Sequence, residues 1–328
     1  NRNDANNQFG LKFITLDNSI DPQLTRNNGF SFVRNSSDIL KDSKFGFAFN
    51  RDEIAMSDKE FGNFGFISWN NIASNPYQSF FSDYLNNRKF NQFFAEKKFF
   101  NKQLTLKFSH QNSYNSSQFK SGFGSKENQS FDFATGIKTK NKGSFLFSFG
   151  NLTEYNNNIL NSKAVGAFES TGNVKTSYVK ISSNQKLTKN LHFLTSVSEG
   201  ISKIQGNNIG IFRNFDNVRS RSVTASIIHD NFFNGRIGFS YHEPLRAYKG
   251  RVNIDIPTAR TIDGGVIRYQ TSASLAAGGR QRDLELFYNK SLDLYSAINF
   301  NLVHQKQPGN IKDAKDNFLG FISYNLSF

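Results

Sequence analysis

The five histidines are the residues of this 328-residue chain with the widest catalytic use, because imidazole acts as a general base or metal ligand near neutral pH. They are His110, His192, His229, His242 and His304. No H-E-x-x-H metal motif or G-x-S-x-G elbow occurs, and the chain has no cysteine. In a strand, His229-Asp230 and His242-Glu243 would point base and carboxylate to opposite faces. The sequence therefore predicts no enzyme, and no catalytic, cofactor-binding or metal residues.

The C-terminal segment has a period of two instead. Apolar residues alternate with mainly serine and asparagine up to the last residue, at Phe318, Ile322, Tyr324, Leu326 and Phe328. Because strand side chains point alternately to opposite faces, this segment predicts a strand with one apolar face. Phe328 is expected to end that apolar face at a membrane interface. A C-terminus in water would gain nothing from an apolar face.

The same alternation recurs along the chain, as in Phe145, Phe147 and Phe149 against Ser144 and Ser148. The connections alternate in length. Short turns are expected near 140–143, 188–190, 231–235 and 291–294, and longer loops at 111–129, 157–172, 204–217, 243–249 and 306–316. This is the layout of an outer-membrane barrel, although the strands of a soluble β-sandwich also alternate.

The polar faces of these strands carry charges of both signs, which predicts a water-filled lumen. The expected lumen-facing charges are Lys107, Asp132, Lys138, Arg236, Asp255, Asp283 and Glu285. Two interpretations stay open, ordinary solvation of the lumen or a network that latches an internal helix. The predicted fold class is all-β, a transmembrane antiparallel up-and-down β-barrel.

Twelve barrel strands are predicted, and fourteen is the alternative. The twelve are 103–112, 130–140, 144–154, 173–184, 191–202, 219–230, 235–243, 250–257, 264–276, 280–290, 295–305 and 316–328. In 75–99, Asn75 as N-cap and Pro76 favour a helix in the lumen; otherwise 88–98 is a strand, and 61–69 completes fourteen. The expected division is a linker or β-extension over 1–74 and the barrel over 75–328.

The net charge is +14, but the basic residues occur singly along the sequence, which indicates a scattered surface and no nucleic-acid partner. The chain has no run of 18 or more apolar residues, so no transmembrane helix is predicted. Because the chain starts at Asn1 and has one methionine, a processed product is expected.

The C-terminal half resembles the translocator barrel of autotransporters, above all those with subtilisin-like serine protease passengers. The stretches that carry the resemblance are "YHEPLRAYKGRVNIDIP" (241–257), "AAGGRQRDLELFYNKSLDLYSAINFNLVHQKQPGNIKDAKDN" (276–317), the terminal aromatic strand and "NPY" (75–77). Where that family shows a "PGH", this chain has Pro308-Gly309-Asn310. None of these motifs is catalytic, so the resemblance does not identify the passenger as a protease.

The resemblance implies type V secretion in a Gram-negative bacterium. A monomeric barrel would anchor and export an upstream passenger without any cofactor. Its implied partners are outer-membrane lipid and lipopolysaccharide, the passenger, and the barrel-assembly machinery, which would read the terminal strand. A general diffusion porin, or another outer-membrane channel, is the alternative.

Overall fold

The structure is a computed structural model of the chain. It describes residues 12–13, 30–36, 43–51, 89–100, 104–114, 126–139, 143–155, 158–159, 162–163, 171–207, 211–293 and 296–326. Within these ranges, no helix combines the length and apolar character needed to cross a membrane.

The described residues form nineteen strands. In chain order these are β1 Lys12–Phe13, β2 Phe30–Ser36, β3 Ser43–Arg51, β4 Lys89–Phe99, β5 Leu104–Tyr114, β6 Lys126–Lys138, β7 Ser144–Glu154, β8 Asn158–Ile159, β9 Ser162–Lys163, β10 Thr171–Lys186, β11 Leu191–Asn207, β12 Phe212–Phe215, β13 Val218–Phe232, β14 Gly235–Lys249, β15 Arg251–Arg260, β16 Val266–Ser274, β17 Arg282–Ser291, β18 Ser296–Lys306 and β19 Asn317–Leu326. A single 3-10 turn, Pro308–Asn310, lies in the described connection between β18 and β19.

Fourteen of these strands form one antiparallel up-and-down sheet, in the order β1-β2-β3-β4-β5-β6-β7-β10-β11-β13-β14-β17-β18-β19. Twelve of the fourteen, β3 onward, are nine residues or longer, the length that a tilted strand needs to span a bilayer. Short turns join these strands at one end and longer connections at the other. The all-β, antiparallel fold class predicted from the sequence is therefore confirmed.

The two faces of the sheet have the polarity of a protein in lipid. On β7, Ser144 and Ser148 are buried, whereas Phe145, Phe147 and Phe149 are 41–48% exposed. Rings on this outward face meet across neighbouring strands, in the series Phe93, Phe108, Phe133 and Phe149, with centroids 5.0–6.5 Å apart. An apolar exterior around a polar interior is stable where lipid replaces water outside. The predicted outer-membrane location follows from this polarity.

Two of the predicted barrel strands lie elsewhere. Segments 250–257 and 264–276 form β15 and β16, which pair with each other and with β12 in a separate three-stranded sheet. In the main sheet β14 pairs directly with β17, from Arg236↔Asn289 to His242↔Asp283. The alternation of 250–276 indicated strands correctly. It did not specify their partners, because one amphipathic pattern suits both sheets.

Residues 89–99 form strand β4, so the lumen helix expected over 75–99 is wrong for this part. Its ladder with β5 runs from Lys89↔Tyr114 to Phe99↔Leu104. Phe93 is 46% exposed while Phe94 is 2% exposed, as strand alternation requires. The phenylalanines fit helical and strand spacing equally well, and cross-strand pairing selects the strand. Residues 75–88 and the candidate strand 61–69 lie outside the described residues.

The N-terminal segment contributes to the same sheet. Strands β1, β2 and β3 fall within the predicted linker or β-extension, and β3 pairs with β4 from Ser43↔Lys97 to Arg51↔Phe90. Among the described residues, β19 pairs with β18 alone, so the sheet is open at its seam.

Neighbouring positions on β11 test the two faces directly. Val197 is 44% exposed on the apolar face, and Ser196 lies on the polar face next to Ser182 and Thr224. We expect Val197→Lys to lower the free energy of unfolding in lipid by about 2–4 kcal/mol, because a charge would face hydrocarbon. Ser196→Lys is the matched control and should cost much less. Equal costs in urea titrations of the refolded protein would contradict the assignment of faces.

Candidate functional site

Hydroxyl groups line the inner face in pairs that cross neighbouring strands. The hydroxyl oxygens of Thr176 and Ser202 lie 2.7 Å apart, and so do those of Ser198 and Ser222. Ser226 donates to Ser240 over 2.9 Å. These pairs satisfy polar groups that the sheet buries, and so they make a polar wall stable without charge.

Asp132 is the centre of a polar cluster on this wall. It is 7% exposed and accepts hydrogen bonds from Ser109 and Ser130, each at 3.4 Å, and from the Tyr178 hydroxyl. Lys107 and Lys180 act on its carboxylate electrostatically. The cluster holds β5, β6 and β10 together through side chains of the wall itself.

The other inner carboxylates follow the same pattern. Glu285, 1% exposed, accepts from the Asn301 amide at 2.5 Å. Asp283, 4% exposed, accepts from Gln281 at 2.9 Å and from Gln305 at 3.3 Å. In the described residues, these carboxylates therefore bind neighbours on the wall. The predicted latch around an internal helix stays a prediction.

The other residues predicted to be lumen-facing charges are Arg236, Lys138 and Asp255, and they lie in different parts of the structure. Arg236, near the short-turn end, donates to Asp230 at 2.6 Å, and His192 contacts the same carboxylate at 3.1 Å. Lys138 ends β6 and is partly exposed. Asp255 requires a correction because it belongs to the small sheet, where Arg213 and Arg268 bind it at 3.1 and 3.3 Å.

Four of the five residues predicted to form an insertion signal lie on the last strand, β19. Phe318, Ile322 and Tyr324 are 67%, 74% and 57% exposed on the outward face. The backbone of Leu326 pairs with Ser296. Phe328 lies outside the described residues. The exposed part of this stripe continues the apolar exterior across β19.

Two stretches that carry the family resemblance, 241–257 and 276–317, meet at the long-loop end of β14, β17 and β18. We call this group the motif corner: Glu243, Arg246, Gly279, Arg280, Gln281, Gln307, Gly309 and Asn310. Its first contact is a two-bond ion pair, in which Arg280 donates to Glu243 at 2.6 and 2.8 Å. That hydrogen bond raises the pKa of the Arg280 guanidinium, so the pair stays charged. Arg246 donates to the Gly279 carbonyl at 3.2 Å.

The "PGN" turn completes the motif corner. The backbone N–H of Gly279 donates to the Asn310 carbonyl at 2.7 Å, and the backbone N–H of Gln281 donates to the Asn310 side-chain oxygen at 2.9 Å. The backbone N–H groups of Gly309 and Arg280 donate to the side-chain oxygens of Gln281 and Gln307, each at 2.8 Å. Asn310 has a φ of 59°, a left-handed conformation that asparagine tolerates. At the position of the family's histidine, Asn310 thus supplies both an acceptor and a turn.

Sequence reasoning singled out these stretches but did not predict that they meet. Between Glu243 and Arg280 the chain passes through the small sheet, so their separation in sequence hides the contact. The close packing at Gly279 gave no separate signal, because glycines are common in such loops.

His192 and His229 lie at adjacent register positions of the β11–β13 ladder, but on opposite faces of the sheet. His242 is buried and contacts Thr224 at 2.9 Å, while His304 lies 3.3 Å from Asp316. Asp230 binds His192. Among the described residues, no group of three or more His, Cys, Asp or Glu side chains is placed to hold a metal ion.

The sequence matches no family model and no curated protein. Among solved structures, the chain is similar to OmpTdeltaL8, a loop L8 deletion mutant of OmpT, an outer membrane protein of Vibrio cholerae. The two are 8% identical, with a TM-score of 0.48, and the alignment covers 92% of this chain and 90% of that chain. The strand ladders and the polarity of the two faces establish the fold independently of this similarity.

Gly279 gives a sharp test of the motif corner. A Cβ there would lie 2.6 Å from Ile311 C and Lys312 N and 2.8 Å from the Asn310 oxygen, all backbone atoms. We expect Gly279→Ala to lower the free energy of unfolding by about 1–3 kcal/mol, because backbone must shift. Gly278→Ala is the control, since nothing lies within 4 Å of its Cβ. If both variants show the same urea midpoint, the corner is not tightly packed.

Proposed function

We propose that this chain is the membrane-embedded translocator domain of an autotransporter, which anchors and exports an upstream passenger by type V secretion. The observation that carries the proposal is the meeting of two separate resembling stretches, 241–257 and 276–317, in the motif corner. Similarity by chance in distant stretches gives no reason for them to converge. Their convergence supports the interpretation that the resemblance describes one physical feature.

The motif corner has a mechanical role in this proposal. Its ion pair and backbone hydrogen bonds tie the connection before β17 to β14 and to the turn after β18. A charged pair that also has hydrogen-bonded neighbours resists displacement better than an isolated exposed pair. The long-loop end of the barrel would therefore keep its shape while a passenger segment passes through it.

The polar wall fits passage of an unfolded chain. Hydroxyls paired across strands, and carboxylates bound by neighbouring side chains, would hold a moving peptide less strongly than unbound charges. No nucleotide is present outside the cell, so the driving force would be folding of the passenger at the surface. The passenger would reach the surface as a hairpin, and the barrel-assembly machinery would insert the barrel beforehand. A single barrel would suffice.

A general diffusion porin is the alternative class. It would share the polar wall and the apolar exterior, but it would have no passenger. A porin would show large, stable, three-step conductance after reconstitution, whereas a translocator should show small or flickering conductance.

The test is export of a reporter. A small folded domain with a protease site is fused upstream of Asn1, and the full chain is expressed in a Gram-negative host. We expect external protease to cleave the reporter on intact cells. Gly279→Ala should reduce the exported fraction while Gly278→Ala should not, because only the former disturbs the motif corner.

Insertion must be measured alongside export. A heat-dependent shift of the chain on gels reports a folded barrel. An inserted barrel whose reporter stays inaccessible, with large stable conductance, would contradict the translocator proposal and favour a porin.

A further inference from the structure

Basic side chains collect on the outward face of the sheet at its long-loop end. They come from six neighbouring strands and the loop before β17. We call this set the basic rim: Lys175, Lys203, Arg219, Arg221, Arg246, Lys249, Arg280, Arg282 and Lys306. The basic residues are scattered along the sequence, but the antiparallel order of the strands brings these nine together. The scattered surface expected from the sequence is wrong for this end.

Several of these side chains lie directly opposite one another across the ladder. Lys175 pairs with Lys203 on β10 and β11. Arg219 pairs with Lys249 on β13 and β14. Such partners have Cβ atoms about 4.5–5.5 Å apart, and like charges at this separation destabilise a sheet.

The same arrangement recurs further along the sheet. Arg282 pairs with Lys306 on β17 and β18, and Arg221 pairs with Arg246 on β13 and β14. Because four like-charged pairs lie on one face, an external source of negative charge would stabilise this end of the sheet.

The protein supplies only part of that charge. On the outward face of these six strands, the described carboxylates are Glu199 and Glu243. Glu243 is occupied by Arg280, and Glu199 accepts from the Tyr248 hydroxyl. The ring of Tyr248 also lies under Arg221, with the guanidinium 4.8 Å from its centroid. Two carboxylates cannot neutralise nine cations.

The basic rim begins where the apolar exterior ends. Toward the short turns the same faces carry Ile181, Val197 and Phe239, which are 44–55% exposed. Each strand therefore passes from apolar to basic within a few residues. This change places the basic rim at the level of lipid headgroups.

We propose that the basic rim binds the phosphate groups of a phosphorylated outer-leaflet glycolipid of the lipid A type. Guanidinium and ammonium groups bind phosphate through charge-assisted hydrogen bonds, and arginine does so with two parallel donors. Glycolipid phosphates lie in the headgroup plane, which matches the position of the rim, and they supply the missing charge. The proposal rests on the barrel spanning a bilayer and is independent of passenger export.

The test uses two double variants on one hairpin. Lys175→Gln/Lys203→Gln removes a like-charged pair of the rim, and Lys186→Gln/Lys189→Gln removes two charges at the opposite end of β10 and β11. The refolded full chain is placed in phosphatidylcholine vesicles alone, with lipid A, or with dephosphorylated lipid A. The midpoint of urea unfolding is measured in each.

We expect lipid A to raise the midpoint of the wild-type chain, and high salt to reduce that rise. The rim variant should lose much of the rise, while the control variant keeps it. In phosphatidylcholine alone, the rim variant should be at least as stable as the wild type, because repulsion has been removed. A purely structural role for the two lysines predicts a destabilised variant in every vesicle.

Three results would overturn the proposal. They are an equal rise with dephosphorylated lipid A, an unchanged rise in the rim variant, and the same rise with inorganic phosphate in solution. The last would indicate a site for free anions. Because export is measured separately, failure here leaves the translocator proposal to its own test.

Discussion

Hydrocarbon cannot hydrogen-bond a peptide group, and the rest of this structure depends on that constraint. A chain that crosses lipid as strands must pair every backbone donor and acceptor within the sheet. Twelve strands of nine or more residues pair in one antiparallel series, which meets this condition everywhere except at the open seam of the described sheet. The same constraint sets the polarity of the side chains, with phenylalanine outside and hydroxyl pairs inside.

The positions of the charged side chains then follow from where water, lipid headgroups or protein partners are available to them. Asp132 and Glu285 are buried on the inner wall and are satisfied by hydroxyl and amide donors of neighbouring strands. In the motif corner at the long-loop end, Arg280 is paired with Glu243 and Arg246 donates to a backbone carbonyl. Outside, the basic rim lies beyond the apolar band, where lipid phosphates would neutralise it. These locations are explained by one principle, that a charge needs a partner wherever water is excluded.

The sequence predicted local strand character well, because the alternation of Phe145, Phe147 and Phe149 reports directly which face each residue occupies. It could not predict partners. Segments 250–257 and 264–276 alternate like barrel strands but pair in a small separate sheet. The motif corner and the basic rim were missed for the same reason, since both join residues that are distant in sequence. The helix expected over 75–99 failed within β4 because phenylalanine spacing alone does not distinguish the two periods.

The most direct test of the account is to locate two adjacent rows of the sheet relative to lipid and water. The chain has no cysteine, so single cysteines at Ile181 and Ser196 can each carry one fluorophore. In refolded proteoliposomes, we expect a lipid-dissolved quencher to reach the label at Ile181, which is 55% exposed on the apolar face. An aqueous quencher should reach the label at Ser196 instead. If aqueous quencher reached both labels equally and lipid quencher neither, the chain would not span a membrane and the account would be wrong.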